Sequence, residues 1–196
     1  MDHMKAVLKS CLRQHLSTET VPTESGPRII HHVNALEAIL DGNSGRLVGR
    51  EMTSALRALE SVQNKGHTSG IVAAYPQALP LATILAHALM ELTPRVAHVV
   101  EHNRASTLQT YSGLFNLEPK ASVVIVVNDL IHSPIVKAVA DNLAGLGYTI
   151  IGVVSLIDHQ LGAAETLRLN NIPVQSVFKL GDLVVMYPEQ TAALGA

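Results

Sequence analysis

Apolar residues recur along this chain at two different spacings, and the change of spacing divides it. From His3 to Leu16, the residues Val7, Leu8, Cys11, Leu12, His15 and Leu16 return every three or four positions, which predicts an amphipathic N-terminal helix. The same period returns between Ser44 and Gln63, where Leu47, Val48, Ala55, Leu56, Leu59 and Val62 share one face. Ser44 is the expected cap of this helix, and Gly66 the expected C-cap beyond it. Between the two helices Pro22, Gly26 and Pro27 break the pattern. Ser17–Asp41 therefore reads as a loop with a short extended piece around Arg28–Val33, outside the main sheet.

From Ile71 onward, short apolar runs alternate with helical periods. Strands are predicted at Ile71–Ala74, Val96–Val100, Ser122–Val127, Thr149–Ile157 and Val174–Phe178, with helices at Ala78–Leu92, Pro134–Leu146 and Ala163–Asn170. Such alternation predicts an α/β domain in which a parallel sheet of about five strands is flanked by helices. One domain is expected over 1–196, with 1–43 preceding an α/β core at 44–196. A long connection with little periodicity, His102 to Lys120, has the character of a lid or binding loop.

The stretch Ser122–Val136 organises the rest. Val123–Val127 is an unbroken β-branched run, which suits a strand buried on both faces, and the polar pair Asn128 and Asp129 ends it. Ser133 then stands where a cap hydroxyl would accept an orphan amide, and Pro134 at the first helical position. A loop of this kind lies at the carboxyl edge of a doubly wound sheet, where ligands bind.

Composition narrows the partners. A net charge of −2 shows no basic excess, and 3% aromatics without Trp leaves few surfaces on which bases could stack, so nucleic acid is not an expected partner. No apolar run approaches the roughly 20 residues that span a bilayer, so no membrane association is expected. Met1–Leu16 lacks the apolar block and cleavage site of a signal peptide, so a cytoplasmic location is the expectation. Cys11 is the only cysteine, which excludes an intrachain disulfide, and on a helix it reads as a small core hydrophobe.

Several segments carry a family resemblance. Val153–Gly162, reading Val-Val-Ser-Leu-Ile-Asp-His-Gln-Leu-Gly, resembles a strand that ends in Asp-Arg-Gln-Glu-Gly in orotate phosphoribosyltransferases. Asn171-Ile172-Pro173-Val174 through Lys179-Leu180-Gly181-Asp182-Leu183 is similar to their closing strand and turn. Ser25-Gly26 through Asn34 corresponds to their hood segment, with His31-His32 in place of a Tyr-Tyr type pair, and Arg46-Leu47-Val48-Gly49 to the helix after it. On these residues the chain resembles the type I phosphoribosyltransferases, most closely the orotate enzymes, over nearly its whole length. The resemblance implies their fold, with residues 1–43 as an N-terminal helix and small hood.

It also implies where a site would lie, and at those positions the chain departs from the pattern. Family members carry two adjacent acids that hold the ribose hydroxyls of phosphoribosyl pyrophosphate (PRPP), then a Gly-rich turn whose amides wrap its 5′-phosphate. The equivalent loop here is Asn128, Asp129, His132 and Ser133, with one acid replaced, no glycine, and Pro134 lacking an amide. The pyrophosphate loop corresponds to Ala73–Ala82, in which Tyr75, Gln77 and Ala78 stand without the family's glycines and lysine. The lid and base site correspond to Glu101, His102, Arg104 and His159, so a basic pair becomes Glu-His and an orotate-contacting arginine becomes His159. The family stabilises departing pyrophosphate with Mg²⁺ and a basic lid.

These losses lead to the expectation of a catalytically degenerate orotate phosphoribosyltransferase-like protein, a pseudoenzyme with an assembly, regulatory or ligand-sensing role near pyrimidine nucleotide metabolism. The resemblance implies a homodimer, and an active paralogue is an alternative partner. One rival expectation is an active transferase for orotate or another base, using PRPP and Mg²⁺ through divergent contacts. Another is a nucleotide-binding module for a pyrimidine or phosphoribosyl ligand. No other cofactor and no resident metal are expected. His102, His132 and His159 all follow strand carboxyl ends, where they could share one crevice, but their spacing matches no short metal motif and loop histidines are usually solvated. Asp129 reads either as a surviving ribose or metal ligand or as a turn residue, and Asp158 as a structural turn acid.

Overall fold

A computed structural model describes residues 2–23, 26–33, 37, 42–63, 66–92, 98–105, 108–112 and 117–184. The first helix, α1, spans Asp2–Gln14. Strands β1 (Leu16–Thr23) and β2 (Gly26–Val33) follow it and pair antiparallel from Leu16↔Val33 to Thr23↔Gly26, so the extended piece is one arm of a hairpin separate from the main sheet. Helix α2 (Gly42–Gln63) then leads to β3 (Gly70–Ala73). Ser44 lies inside α2 rather than capping it, and is buried, because the helix already begins at Gly42. Gly66 adopts the left-handed conformation (φ 84°) expected of a chain reversal after a helix.

A single 3₁₀ turn, Pro76–Ala78, feeds α3 (Leu79–Leu92). Strands β4 (His98–Ala105) and β5 (Leu108–Ser112) pair antiparallel. This corrects the expected irregular connection after His102, whose first part is a hairpin at the sheet edge. Its polar residues give no alternation for the eye to catch, because an edge strand is held by backbone hydrogen bonds rather than by an apolar face. The remaining elements are β6 (Ser122–Leu130), α4 (Pro134–Gly145), β7 (Thr149–Asp158), α5 (Ala163–Leu169), β8 (Val174–Lys179) and the short α6 (Leu180–Leu183).

The main sheet runs β5-β4-β3-β6-β7-β8. Five of its strands are parallel, as expected from the alternation, and β5 alone runs against its neighbour. Its central strand, β6, is buried from Val123 to Val127. Because successive side chains point to opposite faces, Val124 and Val126 join the core under α1, α2 and α3, whereas Val123, Ile125 and Val127 join the core under α4 and α5. Helices thus cover both faces of the sheet, which is why this strand is apolar at every position from Val123 to Val127.

Two glycines set close approaches. In β7 the register slips opposite Val123 and Val124, and Gly152 (φ 153°) lies where a Cβ would sit 2.6 Å from the Pro173 carbonyl oxygen. That carbonyl instead accepts the amide of Val153 at 2.8 Å. In α2, Gly49 faces α3 where a Cβ would meet the Ala88 Cβ at 2.8 Å. No helix among the described residues is long and apolar enough to cross a membrane.

Candidate functional site at the carboxyl edge of the sheet

Parallel strands β3, β6 and β7 end side by side, and each end delivers polar groups to the same edge. Beyond β3 the backbone turns at Tyr75, which is extended (φ −156°, ψ 162°) and precedes the 3₁₀ turn. Its ring lies half-buried against both cores while its hydroxyl reaches β6. There the Tyr75 oxygen accepts the backbone N–H of Asn128 at 3.2 Å. The Asn128 side chain answers in the other direction, its Nδ2 donating to the Gln77 carbonyl oxygen at 3.0 Å. Two hydrogen bonds therefore fasten the turn after β3 to the end of β6. Burial pushes the Tyr75 phenol up, and the nearby Asp129 charge adds to this, although hydrogen bonds from the Asp129 and Asn128 amides oppose it. The Asn128 Oδ1 atom is buried and has no hydrogen-bond partner among the described residues.

The end of β7 closes on β6 from the other side. The His159 amide donates to the Leu130 carbonyl at 3.2 Å, and this extends the strand pairing and turns the imidazole inward. His159 Nε2 lies 2.9 Å from Asp129 Oδ1; the His159 side chain is 0% exposed and that of Asp129 23%. A carboxylate only accepts, so Nε2 carries the proton in this contact. The solvated loop histidine expected here is instead a buried partner of Asp129. The reason is register, since Asp129 pairs with Ile157 and His159, two residues on, returns to the same face of the sheet.

Asp158 keeps its expected structural role, its Oδ1 accepting the Gln160 amide at 2.8 Å in the turn after β7. Asp129, by contrast, is neither a free ligand nor a simple turn acid, because one oxygen is held by the imidazole.

The loop between β6 and α4 lacks the expected side-chain cap. Ser133 sits at the N-cap position of α4 with Pro134 next, as expected, but its own dihedrals are already helical (φ −83°, ψ −27°) and its hydroxyl makes no capping bond. An N-cap hydroxyl reaches the first-turn amides from an extended backbone. Here the Ser133 carbonyl takes the Lys137 amide instead, at 2.8 Å. His132 is exposed, whereas His159 is buried, so these two imidazoles occupy different environments. Glu101, His102 and Arg104 lie on β4, where Glu101 pairs with Ala73 and Ser112, and His102 with Tyr111; their side chains lie outside the described part. Ala78 is buried at the end of the 3₁₀ turn.

Sequence reasoning placed Tyr75, Gln77, Asn128, Asp129 and His159 at one edge, but it did not foresee that they bond to each other. The available signals were weak: a tyrosine directly after a short run of buried apolar residues, and a histidine directly after a ten-residue strand. Among the described residues, no cluster of three or more His, Cys, Asp or Glu side chains could hold a metal ion.

No family profile and no curated protein sequence matches this chain. Solved structures do. The orotate phosphoribosyltransferase of Mycobacterium tuberculosis, in complex with Fe(III) dicitrate, superposes with a TM-score of 0.69 at 22% identity, covering 93% of this chain and 99% of that one. The orotate phosphoribosyltransferase of Aeropyrum pernix gives 0.66 at 20% identity, covering 98% and 99%. The Leishmania donovani UMP synthase gives 0.73 at 18% identity, covering 96% of this chain and 39% of that longer one. At these identities the likeness establishes the fold: the chain has the α/β architecture of the type I phosphoribosyltransferases, orotate phosphoribosyltransferases among them.

Proposed function

We propose that this chain is an orotate phosphoribosyltransferase-like protein that does not transfer phosphoribosyl groups, and that its fold serves an assembly, regulatory or ligand-sensing role near pyrimidine nucleotide metabolism. The observation that carries this reading is the engagement of Asp129 by the buried His159 at 2.9 Å. In this fold the acids after the central strand hold the ribose hydroxyls of PRPP. Here the first is an amide already bonded to the Gln77 carbonyl, and the second is bound to an imidazole. Accepting a ribose at that position means breaking contacts within the protein, and a ligand shifts an equilibrium only by its differential affinity for the two arrangements.

The neighbouring loops support the same reading. Tyr75, Pro76, Gln77 and Ala78 offer a departing diphosphate no cation, and the described donors do not fit Mg²⁺. That ion is commonly held by one or two carboxylates together with substrate phosphates, and Asp129, the one acid after the central strand, already has an oxygen on His159. The reading extends to a homodimer, or to pairing with an active paralogue, through surfaces that loop erosion leaves intact. Light scattering tests the first, and a monomer at all concentrations would remove it.

The opposing reading is an active transferase with divergent contacts. It draws support from the near full-length match to orotate enzymes, one of which, from Mycobacterium tuberculosis, has been solved with PRPP (TM-score 0.65, 19% identity, covering 93% of this chain and 92% of that one). Diphosphate release from PRPP, Mg²⁺ and orotate separates the two. Our reading predicts no release above the uncatalysed background, and sustained turnover would overturn it.

A further inference from the structure

At the same edge of the sheet, on its α1 side, two lysines flank a cavity that has no part in the crevice between β3, β6 and β7. The cavity, of about 240 Å³, is lined by Lys5, Ala6, Lys9, Phe178 and Asp182. Lys5 and Lys9 stand one helical turn apart on α1, and the Lys5 ammonium lies over the buried Phe178 ring, 5.4 Å from its centre. No described carboxylate lies within ion-pair distance of either ammonium. Like charges at this spacing repel each other on a helix, a penalty that a bound anion would remove.

The two other charged groups nearby are already engaged. Arg13, a further turn along, donates from Nε to the Leu183 carbonyl at 2.8 Å and from Nη2 to the Asp182 carbonyl at 3.3 Å, which pins α6 to α1. The Asp182 carboxylate accepts the Lys179 amide at 3.0 Å. The cavity therefore presents two ammonium groups with no described carboxylate partner, an aromatic wall and one carboxylate with an oxygen on the Lys179 amide.

We propose that this cavity binds a small phosphate-class anion, of the size of phosphate or diphosphate. Lysine meets phosphate as a point charge and needs no fixed fork geometry. The site is independent of the crevice, so it stands whether or not the chain transfers phosphoribosyl groups.

The test is calorimetric titration of sodium diphosphate, without Mg²⁺, into the full chain at low ionic strength. The variants are the double substitution Lys5→Gln with Lys9→Gln, and Lys179→Gln as a control outside the cavity lining. Glutamine keeps helix propensity close to that of lysine, and circular dichroism verifies the fold of each. We expect one diphosphate per chain, binding at least tenfold weaker in the double variant and within twofold of the parent in the control. We also expect affinity to fall as salt shortens the screening length from about 30 Å to about 8 Å. Malonate in place of diphosphate is expected to bind more weakly, and equal or tighter malonate binding would overturn the phosphate assignment. Silence of the parent chain, or a double variant that binds the same number of diphosphates with unchanged affinity, would overturn the site itself.

Discussion

Substituting Asp129 by Ala removes the carboxylate that faces a fully buried imidazole. A hydrogen bond to a charged group contributes about 1.5–3 kcal/mol net, and a buried donor left unsatisfied costs about 1–3 kcal/mol. Asp129 is 23% exposed, so water reaches it in part, and this moves the expectation to the lower half of that range. A loss of about 1.5–2 kcal/mol follows for Asp129→Ala. For a domain of this length about 1 kcal/mol corresponds to about 2–4 °C, so the melting temperature should fall by about 3–8 °C.

The assay is chemical and thermal unfolding of four proteins: the parent chain, Asp129→Ala, His159→Ala and the double variant. The cycle should return a coupling of about 1–2 kcal/mol, because each single variant removes the same contact. Stability of Asp129→Ala within about 0.5 kcal/mol of the parent, with a coupling under about 0.3 kcal/mol, would refute the reasoning. A stabilised Asp129→Ala would be stronger still against it, since that is how an acid held ready for a ligand at the expense of the fold would behave.

Three further outcomes are expected. Tyr75→Phe removes the acceptor of the Asn128 amide and should cost about 1–2 kcal/mol near neutral pH in denaturant melts. The Tyr75 phenol is raised in the folded chain, so its contribution is complete below the unfolded value near pH 10 and is lost as pH rises through the folded value; the gap between parent and Tyr75→Phe should therefore narrow above about pH 10. Gly152→Ala forces a Cβ against the Pro173 carbonyl oxygen in a backbone region that L residues avoid, and should lower stability by about 2–3 kcal/mol in thermal unfolding, whereas a neutral result would show that the bulge relaxes freely. Gly49→Ala drives α2 from α3 at Ala88 and Ile84 and should cost about 1–3 kcal/mol by the same measurement.

Much of the architecture could be read from local pattern. The run Val123–Val127 announces a strand buried on both faces, and Gly66 and Gly147, beyond the ends of α2 and α4, take up positive φ. β5 escaped because Gln109, Thr110, Tyr111 and Ser112 pair through their backbones at a sheet edge, with no apolar period to mark them. The cap at Ser133 was placed correctly, but its hydroxyl bond does not form, since that bond depends on dihedrals that the residue type alone does not determine. Which residues share this sheet edge was legible, and the bonds between them were not. Tyr75 meets Asn128 across 53 positions and His159 meets Asp129 across 30. Both contacts follow from which strands lie adjacent, a property of the assembled sheet.

The central claim is that the crevice at the end of β6 no longer accepts PRPP. Calorimetric titration of PRPP with Mg²⁺ into the purified chain, followed by orotate in the same cell, tests it most directly. The account predicts no saturable heat for either ligand up to millimolar concentration. Saturable PRPP binding that Asp129→Ala abolishes would contradict it, because the carboxylate would then leave His159 for the ribose.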